Sequence, residues 1–528
     1  MSFARALFAV SSLTIISRVA GFVRDTLTAV FLGAGPIADA FFVAMRLPNL
    51  FRTLFAEGAF SAAFVPLYAA EQQNHGKSAA QQFAGQALAI LLAILIPFSI
   101  LMMIFMPLVI RMLAPGFEDD PDKYSLTVRF SLITFPYLAL ISVTALQGGV
   151  LNAQNKFWAA AAAPIALNVV MIAALLLARA LGWHVGYALS WAFTLSGVVQ
   201  MMLLVISCRV TGVPIPIMAP RFSAHSRLLF KRIGPGAIGA GASQINMLLS
   251  TILASTLPTG TVACLSYADR LDQLPQGIVG IAVATTLLPI LTRHVQAGEE
   301  DRARHFVSRA IEFCILLGMP ATIGFVLAAK PIVQTLFEHG AFGSQDTIMT
   351  AEILAAYALG IPAFLLVKVF SAGFFARHDT TTPVRIALVA MMTNVICALL
   401  LLGPLKHIGI ALASTIAVWT NAVLLFARLH RKKAQLSDEK LRFRMPRLLL
   451  CALGMSLVTA ALLYVTQSWF EGHDTWHEIM GLAVIIGLSG LVYAVMLQLT
   501  GAMRLKEALG ILKRKPDNDN VGSLEQGS

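Results

Sequence analysis

Apolar runs of about 20 residues follow one another along nearly the whole chain, separated by short polar or charged connections, and no period-two alternation of the β-barrel kind interrupts them. The pattern predicts fourteen membrane-spanning helices. The first six cover Leu7–Leu32, Asp39–Tyr68, Phe83–Ala114, Leu126–Leu151, Phe157–Leu181 and Gly186–Ser207. The next six cover Ile233–Leu257, Thr261–Leu291, Ala310–Leu336, Ile348–Phe375, Val384–Leu402 and Ile408–Leu429, and two more cover Leu448–Phe470 and Ile479–Thr500. Arg5 followed by an apolar run imitates a secretory signal, but the run continues through Arg18 and Arg24 without a small-x-small cleavage site, so it reads as a retained first span.

The spans repeat. Pro107 and Pro331 lie 224 positions apart, and Pro136 and Pro362, like Asn168 and Asn394, lie 226 apart. Arg46-Leu47 before Pro66 matches Arg270-Leu271 before Pro289, and Gly186-Tyr187-Ala188-Leu189 matches Gly409-Ile410-Ala411-Leu412. Six spans per unit is an even number, so the halves insert in the same orientation, as a parallel repeat related by a pseudo-two-fold axis along the membrane normal. The expected fold is an all-α polytopic membrane protein with fourteen transmembrane helices: two six-helix lobes plus two extra C-terminal helices. Its parts are an N-lobe (1–210), a basic linker (211–232), a C-lobe (233–430), a basic loop (431–447), helices thirteen and fourteen (448–502) and a polar tail (503–528). The last helix pair has no repeat partner and reads either as a buttress or as an added functional surface.

Composition agrees with a membrane protein: 57% of the 528 residues are hydrophobic and only 12% charged, about half the charge of a soluble chain. The net charge of +12 is read as cytoplasmic loops obeying the positive-inside rule rather than as a nucleic-acid footprint. Basic residues crowd the connections after spans six, eight and twelve and the tail, whereas the alternate connections carry Glu118, Asp119, Asp120, Asp122, Glu338, Asp346, Glu471 and Asp474. Both termini are therefore expected in the cytoplasm. Five scattered cysteines show no metal or redox spacing. Gly234-Pro235-Gly236-Ala237-Ile238-Gly239 matches a dinucleotide fingerprint only in letters, since a basic loop rather than a strand precedes it. No phosphate loop is present, and His477-Glu478 lacks the second histidine of a zinc protease helix.

The candidate chemistry lies in spans one, two and eight. Arg18, Arg24, Asp25, Asp39, Arg46, Arg52 and Glu57 interrupt the first two spans, and Asp269, Arg270 and Asp272 enter the eighth where the first half has Arg46. A charge at mid-bilayer costs ~2.5–3.5 kcal/mol on insertion scales, so this many imply a wet, protein-lined cavity. Guanidinium forks match phosphate oxygens in geometry and sign. Arg18, Arg24, Arg52 and Arg270 are the expected anion-binding set, with Asp25, Asp39, Arg46, Glu57 and Asp269 as cavity support or gating. Structural ion pairing competes with this for Arg46, which has Asp39 and Glu57 as partners on paper, and for Asp25, which could orient an arginine. On an ideal helix Arg18 and Asp25 share a face, with Arg24 about 120° away. Lys330 is expected to snorkel outwards, and Lys368 either lines the cavity or does not.

Ser17-Arg18-Val19-Ala20-Gly21-Phe22-Val23-Arg24-Asp25, Ala38-Asp39-Ala40-Phe41, Arg46-Leu47-Pro48-Asn49-Leu50-Phe51-Arg52, Glu57-Gly58-Ala59-Phe60 and Tyr267-Ala268-Asp269-Arg270-Leu271 with Pro289 resemble the MurJ (MviN) lipid II flippases, over about the first 510 residues. That family belongs to the multidrug/oligosaccharidyl-lipid/polysaccharide exporter superfamily. The resemblance implies two lobes, alternating access, and movement of the undecaprenyl-pyrophosphate-linked precursor lipid II from the inner to the outer leaflet of the bacterial cytoplasmic membrane for cell-wall synthesis. It implies cavity arginines at Arg18, Arg24, Arg52 and Arg270, and a polyprenyl-tail groove at spans thirteen and fourteen. It implies a transporter, not an enzyme, with no cofactor and with cell-wall synthesis proteins as possible partners. Some relatives bind sodium near helices seven, eleven and twelve, but here helix seven offers Gln244 and Asn246 rather than an acid, so the coupling ion stays open. The competing functions are export of another lipid-linked saccharide, drug export, and a membrane scaffold for cell-wall synthases.

Overall fold

Prolines decide where the spans break, and they break at matching places in the two halves. In the computed structural model, which describes residues 3–55, 59–221, 244, 246–431, 438–471 and 475–502, the third span ends at Phe105 and restarts as a short helix with Pro107 in its first turn. The ninth span does the same at Ala328, ahead of Pro331. The fourth span divides at Phe135-Pro136 and the tenth at Leu359-Gly360, ahead of Pro362. A proline lacks the N–H for the i−4 bond and clashes with that carbonyl, yet fits the first turn of a new helix, so equal proline spacing becomes equal helix breaks.

The helices, in order, are α1 (Phe3–Leu32), α2 (Pro36–Phe55), α3 (Ala59–Ile104), α4 (Met106–Leu113), α5 (Pro121–Thr134), α6 (Tyr137–Ala153), α7 (Trp158–Leu181) and α8 (Val185–Val210). They continue with α9 (Asn246–Ser255), α10 (Thr261–Gln296), α11 (Glu300–Leu327), α12 (Ala329–Phe337), α13 (Ser344–Ala358), α14 (Ile361–Phe375), α15 (Thr381–Arg431), α16 (Glu439–Val465) and α17 (Thr475–Leu499). Two of them join expected neighbours: α3 turns at Gly76 (φ 85°) and α15 at Lys406 (φ 46°), where one span hands over to the next. Among the described residues nine helices are long and apolar enough to cross a membrane. The Gly234–Gly239 motif, Glu57 and the basic pair Lys432-Lys433 lie outside the described residues.

By contacts the chain forms two compact units. The first comprises residues 1–273, 336–357 and 384–421. In it α1 packs on α7, α7 on α8, α2 on α5 and α3 on α6. The second comprises 274–335, 358–383 and 422–528. There α16 packs on α17 and α11, and α11 on α14. Helix α16 starts nine residues before its apolar run because Asp438 caps it, accepting the Leu441 N–H at 2.7 Å.

Candidate functional site

The repeat asparagines act alike. Asn168 on α7 donates through Nδ2 to the Ser17 carbonyl of α1 at 2.9 Å and accepts from Arg24 Nη1 at 3.0 Å. Asn394 on α15 donates to the Asn246 side-chain oxygen on α9. In each half a polar side chain from the fifth span therefore ties down the first. An amide buried in an apolar helix is costly unless hydrogen-bonded; here both amide groups of Asn168 have protein partners.

Asn168 thereby helps aim Arg24. The Arg24 fork donates to Asp25 Oδ1 from Nε at 3.0 Å and from Nη2 at 2.6 Å. Arg270 reaches the other oxygen of the same carboxylate, Nε to Oδ2 at 3.6 Å. Consecutive helix residues do not normally face each other, but the long guanidinium arm swings sideways to its neighbour, so Arg24 joins Asp25 despite the angle between their Cα vectors. The cluster holds two cations around one anion. Arg24 is 13% exposed, Asp25 18% and Arg270 46%, so Arg270 is the cation most open to a ligand. Arg18 is exposed on α1, about 9 Å along the helix from Arg24. Arg52 is half-buried in the last turn of α2. Asp269 accepts from Gln273 at 2.6 Å. Lys368 stands over the Phe364 ring at 4.9 Å on α14, in the second unit.

Asp39 belongs to a different arrangement. Its buried carboxylate accepts the backbone N–H of Gly260 at 2.7 Å and of Ala263 at 2.9 Å, and pairs with Lys123 Nζ at 2.7 Å. Lys123 is itself 4% exposed and lies 3.9 Å from the centroid of Phe117. An acid at the start of α10 satisfies the N–H groups that a helix leaves orphaned and complements its dipole. Around this clasp the backbone closes tightly. Ala341 N–H donates to Val30 C=O at 2.8 Å and the Tyr267 hydroxyl to Gly33 C=O at 2.9 Å. Gly33 (φ 65°) and Gly260 (φ 94°) take conformations that side chains resist, and a Cβ on either would meet a carbonyl oxygen within 2.4 Å.

Arg46, whose paper partners are acids, instead donates to Thr251, to Ser266 Oγ at 3.2 Å and to the Met247 carbonyl at 3.4 Å. It binds α2 to α9 and α10 through neutral oxygens. Sequence reasoning passed over Lys123, although a lone lysine in an otherwise acidic connection was a signal. It also gave Asn168 no role, although its recurrence at Asn394 marked it.

The order of helices and helix breaks is shared with solved transporter structures. A solved structure titled an inward-facing conformation of a multidrug resistance MATE family transporter of the MOP superfamily superposes with TM-score 0.69 at 14% identity, covering 82% of this chain and 99% of that one. A nearer match is a structure titled "Lipid II flippase MurJ, inward closed conformation", with TM-score 0.78 and 26% identity over 95% of this chain and 99% of that one. The family profile described as "Lipid II flippase MurJ" matches residues 28–478, and the chain belongs to that family. A "Probable lipid II flippase MurJ" of Rhizobium meliloti (strain 1021) is 43% identical over 89% of this chain and 88% of its own length. The "Lipid II flippase MurJ" of Burkholderia cenocepacia is 34% identical over 88% and 90%.

Proposed function

We propose that this multi-pass membrane protein moves lipid II from the inner to the outer leaflet of the bacterial cytoplasmic membrane, with Arg24 and Arg270 as the cations that receive its diphosphate. The observation that carries the reading is one carboxylate, Asp25, held between two guanidiniums contributed by α1 and α10. Before a diphosphate binds, Asp25 keeps two like charges from repelling in a low-dielectric site. An incoming diphosphate offers more charge and more acceptor oxygens than one carboxylate, so it competes for the same forks. Asn168 keeps Arg24 aimed during the exchange, and Arg18 and Arg52 extend the positive field along α1 and α2.

Alternating access then requires the contacts of α2 with the start of α10 to part. The Asp39 clasp is the interaction that resists parting, and Arg46 supports the same helices. Movement of a lipid-linked anion through such a cavity calls for no bond making or breaking. The loop charges orient both termini to the cytoplasm, and the lobes of 1–210 and 233–430 rock about the pseudo-two-fold axis. Spans thirteen and fourteen serve the polyprenyl tail.

The test is leaflet-resolved detection of labelled lipid II in cells that depend on this protein. Arg270→Ala and Arg24→Ala insert normally and lower the outer-leaflet signal at least tenfold, since a charge-assisted contact is worth ~1.5–3 kcal/mol. Wild-type flipping by Arg270→Ala removes Arg270 from the site.

A further inference from the structure

A cavity of about 670 Å³ opens between α7 and α8, and none of the charged cluster lines it. Its floor is made of small and aliphatic side chains, among them Val170, Ala173, Ala174, Ala188 and Ala192. The alanines leave a slot where two packed helices would otherwise fill the space, suited to a flexible hydrocarbon chain. Both helices are long and apolar enough to span the bilayer. Trp183 and Trp191, 59% and 61% exposed, stand along its rim, and tryptophan favours the level where hydrocarbon gives way to headgroups.

The polar end of the slot is built. Exposed Arg129 on α5 donates to the Tyr187 hydroxyl at 3.4 Å. Among the described residues it has no carboxylate partner. Tyr187 is fixed edge-on against Phe130, centroids 5.0 Å apart, and against the His184 ring at 5.1 Å. Phe130 fits because Gly186 has no Cβ, which would lie 2.5 Å from its ring. His184 Nδ1 accepts the Tyr187 N–H at 3.4 Å, capping α8, which leaves Nε2 as the ring nitrogen that can donate to a ligand. A cation and a ring N–H thus stand on a packed aromatic frame at the mouth of an apolar slot.

We propose that the α7–α8 groove binds an anionic phospholipid, one acyl chain in the slot and the phosphate at Arg129 and His184. The apolar floor on a membrane-spanning surface selects a lipid chain, and the exposed guanidinium selects a lipid with net negative charge. The site is separate from the substrate arginines, so it stands or falls independently of the flippase reading.

The experiment uses the full chain in vesicles with Trp158, Trp419, Trp469 and Trp476 replaced by phenylalanine, leaving Trp183 and Trp191 as reporters. Quenching by brominated-chain phosphatidylglycerol is compared with quenching by brominated-chain phosphatidylcholine. The glycerol lipid reaches half-quenching at about fivefold lower mole fraction, the advantage of one cation near the headgroup. Arg129→Gln abolishes that preference, and Ala173→Phe, which fills the slot, weakens quenching by both lipids. Identical curves for the two lipids overturn the proposal, leaving the tryptophans as an ordinary aromatic belt. Displacement of brominated phosphatidylglycerol by an equimolar polyprenyl phosphate also overturns it. If the variant with four tryptophans replaced does not fold, native mass spectrometry of the wild-type protein and Arg129→Gln with added phosphatidylglycerol decides: equal lipid retention counts against the site.

Discussion

Removing Asp39 strips three partners at once. In Asp39→Ala, the Lys123 ammonium, 4% exposed, is left without its counter-ion, and the N–H groups of Gly260 and Ala263 lose their acceptor. Breaking a buried pair from one side costs ~3–5 kcal/mol, and the orphaned donors push towards the upper end of that range. Lys123→Met should cost less, about 1–3 kcal/mol, because the Asp39 side chain that remains still accepts two backbone N–H groups at a helix N-terminus. Adding Lys123→Met to Asp39→Ala should then recover part of the loss, since no bare cation is left buried. Unfolding free energies from detergent titration of the purified single and double variants supply the cycle, and a coupling of at least about 1 kcal/mol is expected. Additivity within ~0.5 kcal/mol would refute the claim that Lys123 and Asp39 act as one clasp. The conformer in which α2 and α10 separate no longer has to break the clasp, so cysteine cross-links between their ends should form less readily in Asp39→Ala at temperatures where it stays folded.

Three further outcomes follow from the geometry. Gly33→Ala should lower the thermal midpoint and weaken the α1–α2 turn, because a Cβ there meets the Ala341 carbonyl oxygen at 2.4 Å in a positive-φ conformation; an unchanged midpoint would show that the turn relaxes freely. Asn168→Leu should leave insertion intact but reduce flipping at least tenfold, as Arg24 loses one charge-assisted hydrogen bond of ~1.5–3 kcal/mol and its alignment, measured by the same leaflet assay. Burial alone would raise the Asp438 carboxyl, but the Leu441 N–H, the Arg309 guanidinium and the His305 ring hold it below its ordinary value. A carboxylate depressed in the folded state contributes stability above its unfolded value and loses it as pH falls through the folded one. The tie between α11 and the start of α16 should therefore hold above about pH 5 and weaken below about pH 4, seen as faster hydrogen exchange at the start of α16, with Asp438→Asn losing this dependence.

The spacing of apolar runs and prolines along the chain was enough to determine an all-helical membrane protein whose helices break at recurring places. Helix and helix break are local properties, written within a few residues, and the cost of charge in hydrocarbon marks any arginine or aspartate in a span. The same local logic found Arg24, Asp25 and Arg270 as members of one charged region. Partnership was another matter. Asp39 is held by backbone N–H groups of Gly260 and Ala263, more than 200 positions away, and a backbone donor carries no letter in the sequence. Arg46 has acids at helical spacing yet bonds Thr251 and Ser266, because the tertiary fold brings hydroxyls from α9 and α10 to it while Lys123 claims Asp39. Which of several long, flexible charged arms meets which partner depends on distances of a few ångströms across helices remote in sequence, and only the packed structure decides it.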